Sequence, residues 1–119
     1  CPIHQDCLEG LAAGPAIETR WGKKGIELSD REEVWELEAY YLAQAIAQYI
    51  IILVPEKVIL GGGVANQASL IGKVREKVHD HLKDYFVTPE INEYIVTPEL
   101  KNNAGIVGGL VFADRMVRK

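Results

Sequence analysis

The first ten residues, CPIHQDCLEG, place Cys1, His4 and Cys7 three residues apart, and Glu9 follows the last by two. Thiolate and imidazole together form a ligand set that zinc accepts. A structural zinc takes four ligands, of which these positions supply three. Pro2 disfavours a regular helix through the triplet, so the side chains would have to converge from a turned loop. The same residues also allow a disulfide between Cys1 and Cys7, or two idle thiols with His4 in solvent, although a histidine between the cysteines favours metal. His79 or His81 could complete the set. Both, however, fall in an amphipathic pattern and read as surface residues.

A second stretch, VILGGGVANQ, runs an apolar segment into Gly61, Gly62 and Gly63. A strand delivered into three glycines and then a helix leaves backbone N–H groups open near a helix amino terminus, where a phosphate or nucleotide can approach closely. The stretch has neither the lysine of a P-loop nor the spacing of the dinucleotide fingerprint. A tight turn without a ligand is the competing reading. A third stretch, NNAGIVGGL, puts Gly105, Gly108 and Gly109 at the start of the last helical segment, where small residues permit close packing or hinge movement; packing is the simpler role. Taken alone, Glu9 is a favourable charge near a helix start.

Several elements must position these residues. LEGLAAGPAIETRWG has helix formers on both sides of Gly14-Pro15, and that pair is expected to break or kink the helix. Ser29 and Glu32 have capping-box spacing ahead of one long helix ended by Pro55, whose apolar carboxyl-terminal half is expected to lie inside the protein. Lys57 to Leu60 reads as a short buried strand. Ala68 to Tyr85 repeats apolar residues every three or four positions, which predicts a helix packed on one face and solvated on the other. INEYIVTPEL reads as a second strand, and AGIVGGLVFADRMVRK as a closing helix with basic residues at its end. The order predicts a single domain of α/β layer architecture over residues 1–119. Two strands make a poor sheet, so further strands are expected from sequence ahead of Cys1 or from a partner chain.

Composition narrows the function. An apolar content of 48% in 119 residues supports one hydrophobic core. A net charge of -4 and a pI near 5.4 offer no positive field for a phosphate backbone, so nucleic-acid binding by this segment is not expected. The apolar run from Tyr40 to Val54 is shorter than the roughly 20 residues of a bilayer span and contains Gln44 and Gln48, so no membrane association is expected. No signal peptide is visible, and a chain that opens at Cys1 is expected to be a fragment or a processed product.

In this order, CPIHQDCLEGLAAGPAIE, VILGGGVAN and NNAGIVGGLVFA resemble the carboxyl-terminal segment of the ROK family of sugar kinases and sugar-responsive repressors. The C-P-x-H-x-x-C-x-E-G form followed by A-x-G-P-A-I-E is most similar to the bacterial fructokinases of that family. Its glucokinases and repressors more often show C-x-C-G-x-x-G-C-x-E. The resemblance implies an actin-like ATPase, ribonuclease-H-like fold of two lobes, of which this chain would be the carboxyl-terminal one, incomplete without its amino-terminal lobe. It implies a zinc held by Cys1, His4 and Cys7 in the loop 1–10, stiffening the segment that presents Glu9 to sugar hydroxyls.

By the same resemblance, Gly61, Gly62 and Gly63 form the turn beside Mg-ATP, while Gly105 and Gly108 lie near the interlobe hinge. The fourth zinc ligand, the Asp general base and the amino-terminal phosphate loop of the family would precede Cys1. The chain alone would therefore be inactive. The implied parent is a cytoplasmic fructokinase, with the apolar closing helices able to support a homodimer. Two other readings compete: a sugar-sensing repressor with an upstream DNA-binding domain, and a non-catalytic zinc-stapled interaction domain.

Overall fold

In the computed structural model, which describes residues 1–118, the first break falls at Ala13 rather than at the Gly14-Pro15 pair. Helix α1 (Leu8–Ala12) stops where Ala13 turns extended, and α2 (Gly14–Trp21) begins with Pro15 in its first turn. A first-turn proline costs no hydrogen bond, since its missing N–H would have had no partner there. Gly22 ends α2 in the left-handed region with φ of 70°.

A 3-10 turn, Gly25–Leu28, then leads to the long helix α3 (Glu32–Leu53). Ser29 does not cap α3. It continues the turn in a helical conformation, because buried Leu28 and the bond from Trp35 Nε1 to the Leu28 carbonyl, 2.9 Å, hold that turn against the core. Arg31 precedes α3 without a side-chain cap, and Glu32 and Glu33 place negative charge at its positive end.

Packing of α3 on α4 (Leu70–Leu82) forms most of the core. Val34, Trp35, Ile46 and Ile50 of α3 join Leu70, Val74, Val78 and Leu82 of α4 in one buried cluster. Ala39, Ala43 and Ala47 recur every four residues on the same buried side of α3, a row of small side chains that a second helix can approach closely. At the rim, Lys73 pairs with Glu36 and with Glu32 at 3.1 Å, and Lys77 pairs with Glu36 at 2.7 Å. Half-exposed pairs of this kind contribute at most about 1 kcal/mol each.

Strand β1 (Val58–Ile59) lies parallel to β2 (Ile95–Val96), with Val58 opposite Ile95 and Ile59 opposite Val96. Helix α4 is the crossover that a parallel pair requires. Only part of INEYIVTPEL is strand. Residues Ile91–Tyr94 form a helical turn, α5, because the Glu90 carboxylate accepts bonds from the Asn92 and Glu93 N–H groups at 2.9 and 3.1 Å. This local cap outcompetes the weak alternation, and buried Tyr94 anchors the turn by donating from its hydroxyl to the Pro55 carbonyl at 2.8 Å.

The carboxyl-terminal half of α3 departs from its expected burial. Its last turn exposes Ile52 and Leu53 by 74% and 68%, and the buried side of the helix ends at Ile50. A two-stranded sheet is too small to cover that turn. Helix α6 (Ala104–Val117) likewise exposes Ile106, Leu110, Phe112 and Met116. The α/β reading thus holds in its order of elements, but the chain is mostly helical around a minimal parallel sheet. Among the described residues, no helix is long and apolar enough to cross a membrane.

Candidate functional site

The loop ahead of α1 does turn back on itself. Gln5, in the left-handed region with φ of 60°, makes the reversal, and its N–H donates to the Cys1 carbonyl at 3.3 Å. As a result the ligand atoms of Cys1, His4 and Cys7 all lie within 4.8 Å of one another. Cys1 Sγ is 3.7 Å from His4 Nδ1 and accepts the His4 backbone N–H at 3.4 Å, and both cysteines are free thiols. Two soft sulfurs and one borderline nitrogen gathered at this separation suit a tetrahedral thiophilic ion such as zinc, after small rotations of the side chains. His79 and His81 are exposed on α4, as their pattern predicted, and stand outside this group.

Cys7 immediately precedes α1, so the loop continues directly into the helix that carries Glu9 in its first turn, exposed. Gly10 makes this arrangement possible. A Cβ on Gly10 would stand 2.1 Å from the Gln5 carbonyl oxygen and 2.7 Å from its carbon, so the loop backbone rests directly on that glycine. Sequence reasoning passed over Gly10. Its signal was a glycine, the poorest ordinary helix former, one residue after Glu9 at a helix start.

Behind the loop, Arg20 of α2 and Glu38 of α3 were also missed. Arg20 Nη1 donates to Glu38 Oε1 at 2.8 Å, and Nη2 donates to the Leu11 carbonyl at 2.8 Å. The Glu38 side chain is fully buried, and its Oε2 makes no hydrogen bond. Burial pushes its carboxyl up to about 7, against the opposing pull of the Arg20 guanidinium. Glu38 lies in the same stripe as Val34, Trp35 and Ala39, and a carboxylate in register with a core stripe was the available signal.

The glycine turn differs in detail from its expectation. Gly61 to Gly63 follow β1, and the Leu60 N–H extends the pairing to the Val96 carbonyl at 2.8 Å. Gly62 has φ of 96°, a conformation that side-chain-bearing residues rarely adopt, and a Cβ on Gly61 would come within 3.1 Å of Pro98 Cγ. The glycines lead into a 3-10 turn, Val64–Asn66, rather than into α4, which starts at Leu70. The turn stands between two depressions. One, of about 430 Å³, is lined by Gly63 and Val64 together with Gly14, Ile17 and Trp35; the other, of about 460 Å³, by Gly61 and Gly62 together with Pro98, Lys101 and Asn102. The first therefore joins the G-P-A-I-E motif to the glycine turn in one cavity.

Asn66 Nδ2 donates to Asn102 Oδ1 at 2.9 Å, tying the turn to the segment ahead of α6. Gly105 and Gly108 lie exposed in α6 with open space where a Cβ would project, so close packing at these glycines is not seen among the described residues.

The chain belongs to the ROK family, which it matches over residues 1–116. That family is part of the actin-like ATPase superfamily. A Bacillus subtilis (strain 168) protein with fructokinase in its name is 52% identical over 122 residues, covering 99% of this chain and 41% of the relative. The fructokinase of Streptococcus mutans serotype c is 41% identical over 120 residues, covering 100% of this chain and 41% of the relative. That of Pediococcus pentosaceus is 43% identical over 118 residues, covering 99% and 41%. The chain therefore spans about two fifths of the length of these curated relatives.

Proposed function

We propose that residues 1–119 are the carboxyl-terminal lobe of an ATP-dependent hexose kinase whose substrate is fructose and whose product is fructose 6-phosphate. The observation that carries this reading is the gathering of Cys1, His4 and Cys7 directly ahead of the turn that holds Glu9, in a chain of the ROK family. The relatives named fructokinase, which cover the chain from end to end, support the choice of sugar.

In this reading Cys1, His4 and Cys7 hold zinc, which, when bound, stiffens the loop and plays no part in activating water. Glu9 accepts hydrogen bonds from sugar hydroxyls. Gly61, Gly62 and Gly63 line the nucleotide site, where a backbone without side chains permits close approach of Mg-ATP. The kinase transfers the γ-phosphoryl group of ATP to a sugar hydroxyl: the bond to the departing ADP oxygen breaks, a bond to the sugar oxygen forms, and the hydroxyl proton goes to a base. That base is assigned to none of these residues. Gly105 and Gly108 sit near the hinge between lobes. The kinase works in the cytoplasm, where ATP is available and thiols stay reduced, and forms a homodimer.

The test is ADP release by the longest native polypeptide containing these residues, given ATP, magnesium and either fructose, mannose, glucose or no sugar. Fructose-dependent release is expected. If sugar binds without stimulating release, a sugar-sensing repressor takes its place. In the same assay Glu9→Gln should raise the fructose KM about tenfold or more, the loss expected for a hydrogen bond to a charged acceptor, and leave the ATP KM unchanged. Unaltered fructose KM and turnover would remove Glu9 from the sugar site.

A further inference from the structure

The Arg20 and Glu38 pair sits deeper than the candidate sugar site and needs its own explanation. A carboxylate fully enclosed on the core face of α3 is costly to desolvate, and an apolar residue of similar volume would often serve stability as well or better. What the pair does supply is direction. The Arg20 guanidinium is held from two further sides, by Glu38 Oε1 at 2.8 Å and by the Tyr41 ring at 5.3 Å, both belonging to α3. Its remaining fork then reaches the Leu11 carbonyl at 2.8 Å. A planar fork can make both bonds at once, which an ammonium cannot do with the same geometry.

Leu11 matters because of what surrounds it. Helix α1 has only five residues and buries only Ala12, so its carbonyls near the end depend on partners from outside the helix. Leu11 stands two residues after Glu9 and one after Gly10, on which the Cys/His loop rests. Arg20 also borders an open depression of about 510 Å³ that Cys1, Pro2, Gln5 and Gly10 line from the other side. One guanidinium thus connects the core of the molecule to the short helix that presents Glu9 and supports the loop.

We propose that Arg20 and Glu38 are positioning residues of the hexose site: Glu38 aims Arg20, and Arg20 fixes α1 through the Leu11 carbonyl, setting the direction of Glu9 and the closure of the Cys1–Cys7 loop. This rests on the reading of Glu9 as a sugar contact and of the loop as a metal site.

The test uses the longest native polypeptide with two variants. Arg20→Lys keeps a positive charge beside Glu38 but loses the fork, and the double variant Arg20→Met with Glu38→Leu removes both charges, so that the core keeps its volume without an unpaired carboxylate. In each, the hexose KM should rise about tenfold with the ATP KM unchanged, the signature of one lost charge-assisted bond at the sugar side. A chelator should remove metal several times faster than from the wild type. A folded variant with wild-type hexose KM and wild-type metal release overturns the proposal, as do equal rises in both KM values. Should the wild type show no sugar-dependent ADP release, the kinase reading fails by itself. The positioning role is then read without turnover, from metal release and hydrogen exchange of the α1 amides: faster in both variants supports it, unchanged overturns it.

Discussion

In the longest native polypeptide containing these residues, replacing Gly10 by alanine is expected, on the proposed kinase reading, to abolish stable metal retention and to weaken hexose binding by at least about tenfold, equivalent to about 1.4 kcal/mol. The added Cβ would lie 2.1 Å from the Gln5 carbonyl oxygen and 3.2 Å from the Cys1 nitrogen. Both are backbone atoms, so no rotamer change relieves the clash, and the loop must lift. Gln5 is the residue at which the chain reverses between His4 and Cys7. Moving it separates the ligands that now lie within 4.8 Å of one another. Overpacking of this kind costs about 1–3 kcal/mol or more, and the loop can lower that cost only by opening. Metal content by elemental analysis and hexose KM, measured on the same preparation, check the result. Full metal content with an unchanged KM would falsify the contact between Gly10 and the loop.

The second large effect is a pH dependence of stability centred on Glu38. Its carboxyl, raised from the ordinary 4.5 to about 7 by burial, keeps a proton in the folded chain that the unfolded chain releases. Between those values the folded state binds more protons, so this group's contribution to stability falls as pH rises from about 4.5 to 7. Below that window the group is protonated in both states, and above it ionised in both, so its contribution is level. The gap corresponds to roughly 3 kcal/mol across the window.

Other carboxylates act in the opposite sense. Glu36 is held below its ordinary range by Lys73 and then Lys77, so its contribution is present above the ordinary carboxylate range and lost as pH falls through its lowered value. The measurement must therefore be a difference. Urea unfolding of wild type and Glu38→Gln across this range should give curves that diverge by roughly 3 kcal/mol in favour of the glutamine variant as pH rises. A difference independent of pH would mean that Glu38 is already ionised in the folded protein near its ordinary value.

The helical segments were legible because periodicity and punctuation agree there: α3, α4 and α6 appear where apolar spacing, Pro55 and the glycine runs put them. Local chemistry misled in two places. Ser29 and Glu32 have the right spacing for a cap, yet the anchored 3-10 turn takes Ser29. Ile91 to Tyr94 alternate weakly, yet Glu90 caps a helical turn there. In both, a specific hydrogen bond of about 1 kcal/mol outweighs a pattern that carries no comparable energy.

The candidate site divides the same way. Ligand types and short spacing are properties of the chain, so Cys1, His4 and Cys7 could be singled out before any fold was known, and so could the run Gly61 to Gly63, of which Gly62 takes a positive φ; Gly10 and Gly22 could not. Distances between elements are not encoded locally. Only packing brings Arg20 from α2 between Glu38 of α3 and the Leu11 carbonyl, sets Gln5 on Gly10, and joins Gly14 to Gly63 in one cavity. The physical reason is range. Residue chemistry and backbone propensity act over a few positions, whereas the burial of α3 against α1 and α4 decides which distant groups share an environment, and so which of them a ligand can meet together.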